Sequence, residues 1–347
     1  MSGSKIADDT RIDPRIRQLF GPLEFPTPAD VASRDELLAA AQTDAAIARR
    51  ELVQAFTSLC DTEAVAPSAG LEISDHVVAS EPDGNKINIR VIRPEGDQVL
   101  PCVYYIHGGG MQSSSTYQGN YQAWGRIVAA FGVVVAMVDF RNSIEPSSVP
   151  EVAPFPAGLD DCVSGLKWVA DNRDALRIDP GRIVVAGESG GGNLALATGL
   201  KLKQDGALDV IAGLYALCPY IAGTWPQAAY PSSTENNGIF LDLHSNQGAM
   251  AYGIAELEAR NPLAWPAFAK VDDLRGLPPT VISVNECDPL RDEGIVFYRL
   301  LLEAGVAARC RQSMGTIHGT ELVPLMCPDI TREAAMSLAD FARGAPA

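Results

Sequence analysis

A serine flanked by glycines is the side chain best placed for nucleophilic chemistry. The run Gly187-Glu188-Ser189-Gly190-Gly191 has the GxSxG pattern, and it follows the apolar segment 182–186 and precedes the helix-like segment 194–203. A serine on a sharp turn between a strand and a helix has its hydroxyl exposed to substrate. The pattern alone also fits an ordinary glycine-rich bend, so the partners that such a serine needs must decide between the two.

A serine hydroxyl is a weak nucleophile at neutral pH and needs a base within hydrogen-bond reach. The chain has four histidines. His318 lies just past the last predicted strand and is the best candidate for the base. His76 lies in an early edge strand, His107 belongs to a glycine-rich loop, and His244 lies in an irregular segment, so each fits the role less well.

The base in turn needs an orienting carboxylate. Four acidic residues follow the predicted strand 280–284, where α/β enzymes place functional groups. Asp292 and Glu293 also fit simple capping of the next helix. Asp288 lies in the loop itself and is preferred over Glu286 as the orienting carboxylate.

A third element is the loop His107-Gly108-Gly109-Gly110-Met111, which follows the predicted strand 102–106. Three glycines let a backbone approach a ligand and aim N–H groups at a developing oxyanion. A phosphate-binding loop would need the sequence Gly-Lys-Ser/Thr, which this loop lacks. The loop is therefore predicted to be an oxyanion hole.

These residues require a sheet that brings the ends of several strands together. A hairpin is predicted over 74–80 and 87–91 at the sheet edge, and apolar strands then alternate with helices, which indicates a mostly parallel, eight-stranded α/β sheet covered on both faces. The remaining strands are predicted at 102–106, 133–138, 183–186, 213–217, 280–284 and 308–313. The helices between and after them are predicted at 121–130, 158–172, 192–205, 293–304 and 331–343.

Four segments follow from this pattern. Residues 1–70 are predicted to form a helical cap segment, in which Ser33 and Glu36 make a capping box that opens one helix running to about Ser58. Residues 71–219 and 274–347 are predicted to form the two parts of the core. Residues 220–273 interrupt the alternation of strands and helices and are predicted to be a cap insertion over the carboxyl edge of the sheet.

Composition excludes several classes of partner. The net charge of −16 disfavours nucleic acid and anionic membranes. Seven scattered cysteines without a CxxC pair, and an N-terminus without an apolar signal stretch, predict a cytoplasmic protein with reduced, mostly buried thiols. No histidine spacing indicates a metal site, and no cofactor is expected. A homo-oligomer is compatible with the sequence.

The order Ser189, Asp288, His318 matches that of the α/β-hydrolase fold. Over residues 85–343 the chain resembles the hormone-sensitive-lipase-like (family IV) esterases, and within them the bacterial brefeldin A esterase branch. The motifs that carry the resemblance are His107–Met111, Val138–Asn142, Phe155-Pro156, Gly187–Asn193, Asn261-Pro262, Ala264–Pro266, Asn285 and Asp288–Gly294.

The resemblance implies a site. It implies that Ser189, Asp288 and His318 form a catalytic triad. It implies that the N–H groups of Gly109, Gly110 and Gly190 line the oxyanion hole. It also implies that His107 and Glu188 hold the residues of the site in position and do not themselves react. The helical N-terminus and the insertion would then form a cap.

The predicted function is that of a carboxylesterase that hydrolyses short-chain acyl esters, including lactones as candidates, through an acyl-enzyme. A lactonase or amide hydrolase on the same triad, and a non-catalytic small-ligand receptor of this fold, are the alternatives. For an unperturbed imidazole, protonation of His318 predicts that activity falls near or below pH ~6.5.

Overall fold

One eight-stranded sheet forms the centre of the fold. The computed structural model describes residues 4–25 and 27–344. The strands are β1 (Leu71–Ala79), β2 (Lys86–Pro94), β3 (Leu100–Ile106), β4 (Val134–Asp139), β5 (Ile178–Glu188), β6 (Gly213–Leu217), β7 (Thr280–Asn285) and β8 (Ala308–Ser313). Their order in the sheet is β1-β2-β4-β3-β5-β6-β7-β8. Strand β2 pairs antiparallel with both β1 and β4, and the other neighbours pair parallel. The predicted edge hairpin and the mostly parallel sheet are confirmed.

Helices connect the strands and fill the two terminal regions. They are α1 (Lys5–Asp8), α2 (Pro14–Phe20), α3 (Arg34–Ala41), α4 (Asp44–Ser58), α5 (Gly119–Ala129), α6 (Ala157–Asp171), α7 (Arg173–Leu176), α8 (Gly190–Gln204), α9 (Ser232–Glu235), α10 (Gln247–Tyr252), α11 (Ile254–Glu258), α12 (Val271–Leu274), α13 (Arg291–Glu303) and α14 (Pro328–Ala342). Short 3-10 helices lie at Leu208–Val210, Pro266–Phe268 and Thr320–Leu322. Within the described residues, no helix combines the length and apolar character needed to cross a bilayer.

Two apolar layers cover the sheet. Successive side chains of a strand point to opposite faces, so Tyr104 and Ile106 join the layer built with α6, α8 and α13, whereas Val103 and Tyr105 join the layer built with α5 and α14. A parallel sheet covered on both faces needs such continuous apolar strands. The prediction of helices on both faces is confirmed.

The single long helix predicted after Ser33 is wrong. Two helices, α3 and α4, replace it, because Thr43 starts a second helix by accepting the N–H of Ala46 at 3.3 Å. Ser33 does cap α3 by accepting the N–H of Glu36 at 3.3 Å. The Glu36 carboxylate, however, accepts the N–H of Ala32 at 3.1 Å, so the reciprocal half of the predicted capping box is displaced by one residue.

The N-terminal helices and the segment after Tyr220 lie against each other. Asn246 exchanges two hydrogen bonds with the backbone of Val31, at 2.9 and 2.8 Å. A separate apolar cluster joins both segments to the loops that follow β7 and β8: Ile6, Ile12, Ile16, Phe20, Ile239, Cys287, Ile317, Met326 and Cys327. Of the predicted segment boundaries, residue 70 directly precedes β1, whereas residue 273 falls inside α12.

All seven cysteines carry free thiols. Six are buried and Cys310 is half-buried. The sequence-based expectation of mostly buried thiols is confirmed.

Candidate active site

Ser189 occupies the sharp turn between β5 and α8. Its backbone has φ 56° and ψ −117°, a conformation that costs a non-glycine residue on the order of 1–3 kcal/mol. The N–H of Ser189 donates to the carbonyl of Leu217 at 2.9 Å, which ties the turn to the end of β6. The surrounding fold therefore holds Ser189 in a strained position, as expected for a functional residue.

The flanking glycines are required because the turn leaves no room for side chains. A Cβ at Gly191 would lie 2.1 Å from the carbonyl oxygen of Ile106, at the end of β3. A Cβ at Gly190 would lie 2.7 Å from the backbone nitrogen of Gly110. The turn at Ser189 and the glycine-rich loop after β3 thus pack backbone against backbone.

Ser189, His318 and Asp288 are brought together from three separate loops. The Oγ of Ser189 lies 2.9 Å from Nε2 of His318, and Nδ1 of His318 lies 2.8 Å from Oδ2 of Asp288. A carboxylate only accepts, so Nδ1 carries the proton and Nε2 is free to accept one from Ser189. Ser189 and His318 are each 7% exposed and Asp288 is fully buried, so the arrangement is shielded from bulk water.

The loops that carry the acid and the histidine are fastened to each other. The Nδ2 of Asn285 donates to the carbonyl of Ile317 at 2.5 Å and to the Glu321 carboxylate at 3.1 Å. The N–H of Cys287 donates to the carbonyl of Thr316 at 2.9 Å. These bonds fix the position of His318 relative to the end of β7.

Two opposing effects set the protonation of His318. Burial disfavours the imidazolium, but the Asp288 carboxylate and Cys218 together outweigh burial and raise the pKa of His318 well above its ordinary value. The expectation of an acid limb near or below pH ~6.5 assumed an unperturbed imidazole and is corrected upward.

The glycine-rich loop presents unpaired N–H groups next to Ser189. Gly109 and Gly110 have φ values of 92° and 61°. Within the part of the chain that the structure describes, the N–H groups of Gly109, Gly110 and Gly190 donate to no protein acceptor. Unpaired backbone N–H groups beside a serine hydroxyl are the kind of donor that stabilises an oxyanion.

His107 lies behind this loop. Its Nδ1 donates to the carbonyl of Gly108 at 3.0 Å, its ring stacks on Phe140 with centroids 4.3 Å apart, and its Nε2 lies 3.5 Å from Asp139. Burial lowers the pKa of His107 although Asp139 opposes the shift. The structure therefore places His107 against the loop and not against Ser189.

Glu188 and Tyr121 connect the glycine-rich loop to the serine turn. The hydroxyl of Tyr121 accepts the N–H of Gly108 at 2.9 Å and donates to Oε2 of Glu188 at 2.9 Å. The other oxygen of Glu188, Oε1, lies 3.5 Å from Nε2 of His318. Burial raises the pKa of Glu188, while His318 and Tyr121 favour its ionised form.

Replacing Tyr121 with Phe is expected to lower kcat more than it changes KM. The change leaves the N–H of Gly108 and Oε2 of Glu188 without their partner, which costs about 1–3 kcal/mol for each buried group left unpaired. Steady-state kinetics and urea unfolding measure both effects. Tyr105→Phe is the matched control, because the buried Tyr105 hydroxyl has no hydrogen-bond partner in the described structure. If Tyr121→Phe and Tyr105→Phe lowered kcat equally, the Tyr121 hydroxyl would have no special role in connecting the glycine-rich loop to the serine turn.

Asp292 and Glu293 lie in the first turn of α13, as the capping interpretation expects, but neither makes a capping hydrogen bond. Helix α13 begins without a side-chain cap. The Glu293 carboxylate instead accepts the N–H groups of Ile221 at 2.6 Å and Ala222 at 3.2 Å and the indole N–H of Trp225 at 2.6 Å. Asp292 accepts the N–H of Ser232 at 2.7 Å. Both acids fasten the insertion to the core beside Asp288.

Three residues near the site carried no signal in the sequence. The sequence predicts Tyr121 only as the start of a helix and Cys218 only as a buried thiol, and no motif marks Glu321. Each has a partner at least 30 residues away in the chain, in the bonds Tyr121–Glu188, Cys218–Glu188 and Asn285–Glu321. Only the folded chain brings them together.

The comparisons with known proteins agree with this architecture. A family model described as alpha/beta hydrolase fold matches residues 103–322. The chain belongs to the hormone-sensitive-lipase-like family of α/β hydrolases.

Two solved structures are similar over nearly the whole chain. Esterase Est22 is 63% identical with a TM-score of 0.96, covering 98% of this chain and 100% of that one, and a structure of Est22 with p-nitrophenol is among the matches. Brefeldin A esterase is 37% identical with a TM-score of 0.82, covering 97% and 95% of the two chains. Carboxylesterase NlhH of Mycobacterium tuberculosis is 32% identical over 247 residues, 70% of this chain and 74% of that one. The chain is therefore a carboxylic ester hydrolase.

Proposed function

We propose that Ser189 is the nucleophile of this esterase and that it forms an acyl-enzyme. The supporting observation is the 2.9 Å contact between Oγ of Ser189 and Nε2 of His318. His318 takes the hydroxyl proton as Oγ attacks the ester carbonyl. Asp288, on Nδ1, holds the ring in the productive tautomer and stabilises the imidazolium that forms.

The tetrahedral intermediate places negative charge on the former carbonyl oxygen. The N–H groups of Gly109, Gly110 and Gly190 stabilise it, and one such donor contributes about 2.7–4 kcal/mol to lowering the barrier. His318 then returns its proton to the leaving alcohol. Water attacks the acyl-enzyme with His318 again as base, and Ser189 is regenerated.

The N-terminal helices and the insertion serve as the cap. The N–H of Asp13 donates to the carbonyl of Gly315, in the loop that carries His318, at 2.9 Å. From the insertion, Nδ2 of Asn236 donates to the carbonyl of Asp288 at 3.1 Å. Because both segments are bonded to loops that carry the reacting residues, they also shape the space that the acyl group enters.

The preferred substrates are short-chain acyl esters. Ser189 and His318 are each only 7% exposed, so an acyl chain must fit beneath the cap. The Est22 structure with p-nitrophenol suggests p-nitrophenyl esters as probes.

A series from p-nitrophenyl acetate to p-nitrophenyl dodecanoate, with one macrolactone and one aryl amide alongside, tests this proposal. We expect kcat/KM to be highest for acetate or butyrate and to fall with chain length. A maximum at decanoate or longer would overturn the short-chain proposal. If the lactone or the amide were turned over faster than every linear ester, the protein would instead be a lactonase or an amide hydrolase.

The pH dependence follows from the raised pKa of His318. The neutral imidazole is the active form, so kcat/KM must fall as pH drops through that pKa. Because the Asp288 carboxylate raises this pKa, we expect the acid limb above pH ~6.5. A pH–rate profile with p-nitrophenyl acetate measures it. A profile that stays flat down to pH 4 would rule out His318 as the base.

A further inference from the structure

Three side chains with metal-binding atoms converge beside Ser189. Cys218 directly follows β6, and its Sγ lies 3.9 Å from Oε1 of Glu188. The same oxygen lies 3.5 Å from Nε2 of His318. One donor atom from each of the three residues lies within 4.8 Å of the other two, and all three side chains are buried.

This spacing suits a tetrahedral ion. Zinc bonded to a thiolate, an imidazole and a carboxylate holds their donor atoms about 3.3–3.6 Å apart, given bond lengths of about 2.0–2.3 Å. The separation of Oε1 of Glu188 from Nε2 of His318, 3.5 Å, falls in this range, and its separation from Sγ of Cys218, 3.9 Å, is slightly wider. Side-chain rotation of Cys218 would bring the three donors onto an ion. Thiolate and imidazole are also the ligands that select zinc-like ions over magnesium or calcium.

Two neighbouring groups already orient the donor atoms. Asp288 is bonded to Nδ1 of His318, which leaves Nε2 facing the cluster. Tyr121 is bonded to Oε2 of Glu188, which leaves Oε1 facing it. Hydrogen-bond partners of ligating side chains fix ligand orientation in zinc sites and support affinity.

We propose that Glu188, Cys218 and His318 form an inhibitory binding site for Zn²⁺ and the related ion Cd²⁺. The ion displaces the Cys218 thiol proton to solvent and uses the lone pair of Nε2, so His318 no longer accepts the Ser189 proton. Water completes the fourth position. Binding rests on the geometry of the three donors alone, whereas inhibition rests on the proposed function of His318.

Binding is measured first, with Cd²⁺ and the ultraviolet thiolate-to-cadmium charge-transfer band. We expect one equivalent to bind to the wild type and to Ser189→Ala, and the band to be lost in Cys218→Ser. Cys310→Ser, which removes a half-buried thiol on β8, is the matched control and keeps the band. Glu188→Gln retains every thiol and should bind more than tenfold more weakly, which gives a second test if Cys218→Ser does not fold.

Inhibition is measured with Zn²⁺ on hydrolysis of p-nitrophenyl acetate, each variant being compared with its own metal-free rate. We expect reversal by EDTA and an inhibition constant more than tenfold higher in Cys218→Ser than in wild type or Cys310→Ser. Equal inhibition of all three, or a band that persists in Cys218→Ser, would overturn the site. Stoichiometric binding at Cys218 without inhibition would uphold the site and contradict the proposed role of His318.

Discussion

Ser189→Ala is expected to lower kcat for p-nitrophenyl acetate by about 10⁴–10⁶-fold, with KM much less affected. The variant keeps the turn, the glycine-rich loop and the cap, but no oxygen remains 2.9 Å from Nε2 of His318 to attack the carbonyl. Residual catalysis would come from binding and the oxyanion donors alone. Purified variant and wild type are compared at several pH values above the acid limb.

Ser283→Ala is the matched control for this change. Ser283 is also a buried serine and lies on β7, beside the end of β6 to which Ser189 is bonded. We expect its activity to stay within a few-fold of the wild type. A Ser189→Ala enzyme that retains a tenth of the wild-type kcat would remove Ser189 from the mechanism.

Asp288→Asn is expected to lower kcat by about 10⁴-fold while leaving the fold intact. The amide can still accept the N–H of Leu290, which Oδ1 of Asp288 accepts at 2.9 Å. Its NH₂ group, however, faces Nδ1 of His318 and donates to it, which forces the proton onto Nε2. That tautomer cannot take the Ser189 proton.

The same variant makes a second, independent prediction for the pH profile. Without the carboxylate, burial, which lowers the pKa of His318, is opposed mainly by Cys218. The acid limb of the residual activity should therefore move to lower pH than in the wild type. Asp292→Asn removes an acid from the first turn of α13, four residues further on, without touching His318 and should leave the acid limb at the same pH. If the acid limb of Asp288→Asn lay at the same pH as that of the wild type, Asp288 would not be the group that raises the pKa of His318.

The strands and the loops that end them were predictable because their signals are local. An apolar run such as Cys102–Ile106 forms a strand wherever both sheet faces are covered, and the observed β3 differs only by starting at Leu100. The glycines beside Ser189 and in the His107–Met111 loop mark places where backbones meet. The sequence therefore predicted which residues would come together after folding.

What could not be predicted depends on partners far apart in the chain. Glu293 carries the local pattern of a helix cap, but three N–H donors of the insertion bind its carboxylate in the fold. Glu188, Cys218 and His318 have no metal-site spacing, and they form a cluster only because β5, β6 and β8 end at the same edge of the sheet. The pKa of His318 likewise depends on a distance to Asp288 that the sequence does not contain.

The break between α3 and α4 has a different cause. The composition around Gln42 and Thr43 is compatible with a continuous helix, and intrinsic helix preferences differ by less than about 1 kcal/mol per residue there. The local bond from Thr43 to the N–H of Ala46 is enough to start a new helix. The spacing of apolar residues therefore does not predict the break between the two helices.

Covalent labelling by a p-nitrophenyl phosphonate tests the central claim, that Ser189 is the nucleophile, most directly. The reagent phosphonylates a serine activated by a neighbouring histidine and mimics the tetrahedral intermediate. Intact-mass and peptide mass spectrometry should show one adduct per chain, on Ser189, formed in step with the loss of activity and absent from Ser189→Ala. Loss of activity with the adduct on any other residue would contradict the account.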